Sequence, residues 1–471
     1  MCKYDWNKLL CDKRQRDSEN GSGLLIMGRN EFDRDYERVI PSSAVRRLQD
    51  KTQVFPLQED DIVRTRLTHS YEVSSLARSM GFQIGYWLMQ EKDVNIADCN
   101  TKLASILATS GLVHDLGNPP FGHYGETIIR KWFEDWSQHS STFNLSDKLK
   151  SDFLNFEGNA QSLRIVSKLQ FMGDLYGLNF TYATLASMIK YPWSSLEMGK
   201  NGANSDKFGY FLSERKIVEK IYENTGTGMD FKKNPLALVL EAADDIAYRL
   251  GDIEDGVKKC VIDWDKEYEY LVGKYNAHEK LKSIFEHINN KKENICSGCD
   301  DSLIRDVSVH YFKVCVQSLF IKEAINNFKS NYEDIMMNEY NQSDLLGEDL
   351  SEFIKDLKKI TKKYCFTSSE VMKLELAGEH ILGTLLNLFA DALMNSNEAH
   401  KTQHDEKIGK LISANIKYIN CHDMICIEGF SADDVKLYGK LQMVLDYISG
   451  MTDSYARNLC AELIGNRLPR K

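Results

Sequence analysis

The chain has 471 residues, of which 42% are hydrophobic and 27% charged, a balance too apolar and too evenly charged for a disordered polymer. Its net charge of -10 argues against a protein that coats nucleic acid by neutralising phosphates. No run of about 18 apolar residues predicts a membrane span, and Met1-Cys2-Lys3-Tyr4-Asp5-Trp6 lacks the apolar core of a signal peptide.

Eleven scattered cysteines fit a reducing cytoplasm better than a disulfide framework. Cys296-Ser297-Gly298-Cys299 is the only CxxC, and without a second such pair it is not expected to hold a metal. Helix formers dominate, strand-like alternation is rare, and no linker-like stretch breaks the chain. The expectation is an all-α fold in one large globular body. Residues 1–60 read as an N-terminal arm, 60–260 as a strongly patterned core, and 261–471 as a helical C-terminal region. Within the core, the glycine-spaced stretch 196–234 reads as loops with a short insert.

Three core helices carry polar residues in register with apolar stripes. The first is predicted from about Thr68 to Gln90, with Val73, Leu76, Ala77, Met80, Ile84 and Leu88 at three/four spacing. His69 extends that stripe by one turn. The second runs from about Lys102 to Asp115, through Leu103, Ile106, Leu107 and Ser110, and places His114 and Asp115 at its end. Gly117-Asn118-Pro119-Pro120 then stops it, because proline cannot continue a helix. The third starts at the Asn234-Pro235 cap. Leu236, Leu240, Asp244, Tyr248 and Asp252 follow on one face, each four residues apart.

A carboxylate on an apolar stripe needs a cation, since burying it alone costs several kcal/mol or forces protonation. His69, His114, Asp115 and Asp244 together form a mixed nitrogen and oxygen set that suits manganese, magnesium, iron, nickel or zinc. Two further His-Asp pairs lack such a setting. His404-Asp405 lies in a polar run, and His422-Asp423 has no companion motif.

These residues and their surroundings resemble the HD-domain deoxyguanosinetriphosphate triphosphohydrolase family. The resemblance rests on Arg64–Ser70, Val113–Glu126, Phe156–Gln161 and Glu241–Tyr248, with Arg46–Phe55 before them and Asp446–Asp453 near the end. It implies an all-α fold, a dGTP or other dNTP substrate, and a deoxynucleoside plus inorganic triphosphate as products. One divalent metal is implied, manganese or magnesium first, with iron, nickel, zinc or cobalt as alternatives. The ligands carried over are His69, His114, Asp115 and Asp244. Helix geometry agrees on the last, because Asp245 is turned about 100° from the shared face.

The same resemblance implies roles for other positions. His123 is the expected general acid and Glu126, three residues on, its orienting partner. Lys190-Tyr191 and Lys207 resemble the family's phosphate-binding positions, while Arg66, one turn from His69, is expected to contact the α-phosphate and Asn118, on the turn after the His-Asp pair, to face the substrate. Gln53, Val54, Tyr248 and Asp252 are expected to surround the sugar, with Asp252 and Gln53 on the 3′-hydroxyl and Tyr248 and Val54 crowding the 2′ position. Family members form symmetric oligomers, so a homo-oligomer, with a hexamer favoured, is implied, and single-stranded DNA is a candidate effector.

Two other functions compete. An HD-class phosphodiesterase or alarmone hydrolase with two metals needs extra histidines, and between Asp115 and Asp244 only His123 and His139 occur. A regulatory nucleotide- or DNA-binding module without turnover would leave the His123-Glu126 pair dispensable.

Overall fold

The computed structural model describes residues 4–16, 29–55, 62–92, 94–139, 145–170, 173–200, 206–228, 231–293, 300–340, 345–394, 402–423, 427 and 429–468. Cys296 and Cys299 lie outside these residues. Among the described residues the architecture is all-α. There are isolated bridges, Arg14 with Thr181, Thr52 with Thr65 and Ser194 with Tyr210, but no strand.

Three helices organise the centre: Arg66–Glu91, Cys99–Val113 and Pro235–Lys258. The first starts two residues earlier than its apolar stripe suggests. Thr65 caps it, and Thr68 reciprocates by bonding the Thr65 backbone N–H, which satisfies two orphan donors. The second ends at Val113, with His114 as its cap. Asp115 therefore falls in the following turn, where Asn118 N–H donates to its carbonyl at 3.2 Å. The third is capped by the Asn234 side chain, with Pro235 at its first position.

The first two helices pack unusually closely. A Cβ added at Gly111 would stand 2.8 Å from the Ser74 Cα, and one at Gly85 would stand 2.5 Å from the Asn100 Cα. Only glycine permits that approach, and it sets the spacing of the histidines one turn beyond Ser74 and Gly111. Val73, Met80, Ile84, Leu103, Leu107, Leu240, Ile246 and Leu250 fill the interior between the three helices. A second apolar cluster joins the helix Gly122–His139 to the C-terminal helices through Phe133, Phe153, Phe389, Tyr438 and Leu445.

One sequence expectation is revised. The stretch 196–234 contains a true helix, Arg215–Thr225, which buries Val218, Ile221 and Thr225 and ends at Gly226 with φ 69°. Its charged outer face and the glycines around it hide a stripe only three residues wide. The arm also packs against the body, with Tyr4, Trp6, Leu9 and Leu10 all buried. His404 and Asp405 have a local explanation, since Asp405 completes a capping box with Thr402.

Candidate active site

The ends of the three central helices bring His69, His114, Asp115 and Asp244 together. The two imidazoles are 5.5 Å apart, centre to centre, and inclined at 63°. Ligand atoms of His69, His114 and Asp115 all lie within 4.8 Å of one another. Asp244 Oδ1 stands 3.3 Å from His69 Nε2 and 3.2 Å from His114 Nε2.

This donor set fits a divalent cation. His114 Nδ1 lies 2.8 Å from the Gly111 carbonyl oxygen, which fixes the proton on Nδ1 and turns the Nε2 lone pair inward. That Nε2 is buried and makes no hydrogen bond among the described residues. Burial disfavours charge on His114, yet Asp115 and Asp244 outweigh it and raise its affinity for a proton. Burial alone would likewise raise the Asp115 carboxyl, but His114, Arg66 and His69 hold it well below the ordinary carboxylate range. Clustered acids facing an inward lone pair create a demand for positive charge.

Further partners hold the acids. Arg66 Nη1 donates to Asp115 Oδ2 at 2.6 Å, and Asn118 Nδ2 donates to Asp115 Oδ1 at 2.7 Å. Lys190 Nζ donates to Asp244 Oδ2 at 2.6 Å. Burial works against ionising Asp244, but Lys190 and His114 keep its carboxyl well below the usual range.

His69, Asp115, Asp244 and the partners Arg66, Asn118 and Lys190 border one cavity of about 300 Å³, within the size range of small-molecule sites. Of the candidate residues, only Val54, His114 and Asp252 are not part of its lining. Val54 is buried. Asp252 is buried next to Tyr248; burial pushes its carboxyl well above the ordinary range, and its Oδ2 makes no hydrogen bond among the described residues. Gln53 Oε1 is likewise buried without such a partner.

His123, which also lines the cavity, stands in the first turn of the helix Gly122–His139, its side chain 70% exposed. Its Nδ1 lies 3.1 Å from Glu126 Oε2, so Nε2 is the ring nitrogen left outside that pair. Glu126 is buried, and its Oε1 accepts the Gly158 N–H at 2.9 Å. Burial raises the Glu126 carboxyl, but His123, Lys207 and Arg130 bring it below its ordinary value. Its neighbour Glu157 is pushed up by burial and by the Glu126 charge. Lys207 reaches Glu157 at 3.9 Å.

Five lining residues escaped sequence reasoning: Glu157, Asn159, Glu241, Asp245 and Phe366. The first two stand inside the 156–161 block, and the next two flank Asp244 on its helix, so a signal existed. Phe366 follows the lysine-rich helix Ser351–Tyr364, and nothing local marks it.

Comparison with known proteins agrees with this geometry. Residues 66–176 match the HD domain model. The chain is 39% identical to the deoxyguanosinetriphosphate triphosphohydrolase-like protein of Listeria innocua serovar 6a, over 98% of this chain and 99% of that protein. It is 31% identical to the protein of the same description from Pseudomonas aeruginosa strain LESB58, over 99% and 100%. The deoxyguanosinetriphosphate triphosphohydrolase of Salmonella paratyphi A is 30% identical, over 90% and 92%. With such likeness along almost its whole length, the chain belongs to the deoxyguanosinetriphosphate triphosphohydrolase family of HD-domain proteins.

Proposed function

We propose that this protein hydrolyses dGTP, and other dNTPs less readily, to the deoxynucleoside and inorganic triphosphate. The observation that carries this reading is one cavity shared by a metal-type ligand set, an Arg66-Lys190-Lys207 cation group and the His123-Glu126 pair. A triphosphate bears about four negative charges, more than one divalent ion balances, so the extra cations match this substrate.

When bound by His69, His114, Asp115 and Asp244, a single divalent ion, manganese or magnesium first, supplies Lewis-acid polarisation of the α-phosphate and eases deprotonation of water. The chain's own residues do the rest. Water attacks the α-phosphorus, and the bond from that phosphorus to the 5′-oxygen breaks. His123 Nε2 donates the proton that the departing 5′-oxygen needs, while Glu126 holds Nδ1–H and stabilises the imidazolium before transfer. Arg66 and Asn118 orient Asp115 and border the α-phosphate position, and Lys190, Tyr191 and Lys207 receive the outer phosphates.

Gln53 and Asp252 have unsatisfied buried oxygens suited to a 3′-hydroxyl donor. Tyr248 and Val54 close the 2′ side. Phe366, a partly exposed aromatic ring on the wall, offers a face for the base. Control of dNTP pools, a cytoplasmic location, assembly as a homo-oligomer, with a hexamer favoured, and response to single-stranded DNA complete the proposal. Among the described residues, no helix is long and apolar enough to cross a membrane.

The test is product analysis. The full chain is incubated with each dNTP, GTP and a cyclic dinucleotide, with manganese or magnesium, with and without single-stranded DNA. Deoxyguanosine and triphosphate in equal amounts are expected from dGTP. Nucleoside monophosphate as product, or cleavage of the cyclic dinucleotide alone, would overturn the reading in favour of the phosphodiesterase.

A further inference from the structure

The segment 446–453 has no part in the chemistry above, yet its side chains and backbone hold the cavity's frame from behind. Asp453, buried at the start of the helix Asp453–Leu463, accepts three bonds. Its Oδ1 takes the Phe121 N–H at 3.0 Å, and its Oδ2 takes the Thr52 N–H at 3.0 Å and the Thr52 hydroxyl. Phe121 and Gly122 immediately precede His123. Both are left-handed, with φ 64° and 61°.

A left-handed phenylalanine is costly and persists only where its surroundings hold it. Gly122 is constrained as well, because a Cβ there would stand 2.8 Å from Arg66 Nη2. The bond from Phe121 N–H to Asp453 therefore fixes the backbone that aims His123. Thr52, on the same carboxylate, precedes Gln53 and Val54 of the sugar side.

Two parallel ties come from the same segment. Buried Lys51 donates to the Asn118 carbonyl at 2.5 Å and to the Ser449 carbonyl at 2.9 Å. Asp446 accepts from Gln161 Nε2 at 3.1 Å and from Arg164 Nε at 2.8 Å. Both donors stand on the helix Gly158–Arg164, whose first N–H holds Glu126.

We propose that Asp453 is a positioning residue that sets the Phe121–Gly122 backbone, and through it the aim of His123, so that the C-terminal segment is a working part of the active site. This inference rests on the reading of His123 as the general acid.

The full chain is compared with Asp453→Ala, Asp453→Glu, Asp453→Asn and the neighbouring Ser454→Ala. A misplaced acid lowers kcat, so Asp453→Ala and Asp453→Glu should lose about 10- to 100-fold in kcat on dGTP. KM should rise less than kcat falls, by no more than roughly tenfold, because the Thr52 tie beside Gln53 is lost along with the Phe121 tie. Asp453→Asn keeps an acceptor for Phe121 N–H but sets an amide N–H against the Thr52 N–H, so its rate should fall between those of Ala and the parent, and Ser454→Ala should match the parent. Amide exchange at Phe121 and Gly122 should speed up about tenfold in the Ala variant. If Ala does not fold, the Glu variant, which keeps charge but displaces the carboxylate, carries the same expectation.

Unchanged kcat in a folded Ala or Glu variant would overturn the proposal. So would an Asn variant as slow as Ala, or a rate loss matched by KM with exchange at 121 and 122 unaltered. If the parent itself fails to hydrolyse dGTP, the functional reading falls, and the exchange measurement alone decides whether Asp453 holds this turn.

Discussion

Lys190 Nζ lies 2.6 Å from Asp244 Oδ2, so a carboxylate assigned to a metal is also saturated by a cation from its own chain. Burial lowers the lysine's hold on its proton, but Asp244 and Glu241 more than restore it, so Lys190 stays charged. One ammonium can thus serve two partners, Asp244 at rest and a phosphate when substrate arrives. Lys190→Met should raise KM for dGTP about tenfold while metal binding is retained. Asp244→Asn should lose metal affinity and cost about 100-fold or more in kcat/KM. Manganese titration by calorimetry and steady-state kinetics separate the two effects.

Removing the proposed acid should affect chemistry and spare binding. His123→Ala is expected to lower kcat about 100- to 10,000-fold, with dGTP binding measured calorimetrically close to the parent. Glu126→Gln removes the charge that orients the imidazole and should cost less, about 10- to 100-fold. A His123→Ala variant with normal turnover would remove histidine from the mechanism.

Tyr248 and Phe366 both line the cavity, and on the proposed reading the first selects the sugar and the second meets the base. Tyr248→Ala opens the 2′ side and should raise the GTP-to-dGTP ratio of kcat/KM by roughly 10-fold or more. Phe366→Ala removes an aromatic face and should raise KM for all dNTPs by about tenfold, since stacking is tolerant of base identity. Competition assays between GTP and dGTP check the first, and a dNTP panel checks the second.

A pH dependence of stability follows from Asp152, far from the metal ligands. Its buried carboxyl accepts from the Ser195 hydroxyl, the Leu212 N–H and the Tyr438 hydroxyl. Burial outweighs these donors and pushes it up to about 7. Its unfolded value is about 3.9. The folded state therefore holds the proton more tightly, and the stability from that protonated form is full below about pH 4 and lost as pH rises to about 7. Asp152→Asn should flatten that slope, and its melting temperature should gain on the parent between pH 5 and pH 7. Thermal melts at half-unit pH steps check this.

Much of the centre was legible because it is built on helical periodicity. His69 and Asp244 stand on apolar stripes of long helices, and His114-Asp115 marks the point where a Gly-Pro turn ends one. The helix Arg215–Thr225 was not legible, because so short a buried stripe is masked by the charged residues between its members. Phe366 was not legible either. It reaches the cavity from a chain position over a hundred residues beyond Asp244, and no local spacing records that meeting.

The sequence by itself determined the all-α class, the identity of the polar residues on buried stripes and the family to which the chain belongs, because periodicity, capping and motif order are local properties. Only the tertiary structure decided that Lys190 sits on Asp244, that Asp252 lies behind the wall, and that Asp453 holds Phe121. The first and last of these join residues 54 and 332 positions apart. Burial and charge balance select them only after the helices have packed.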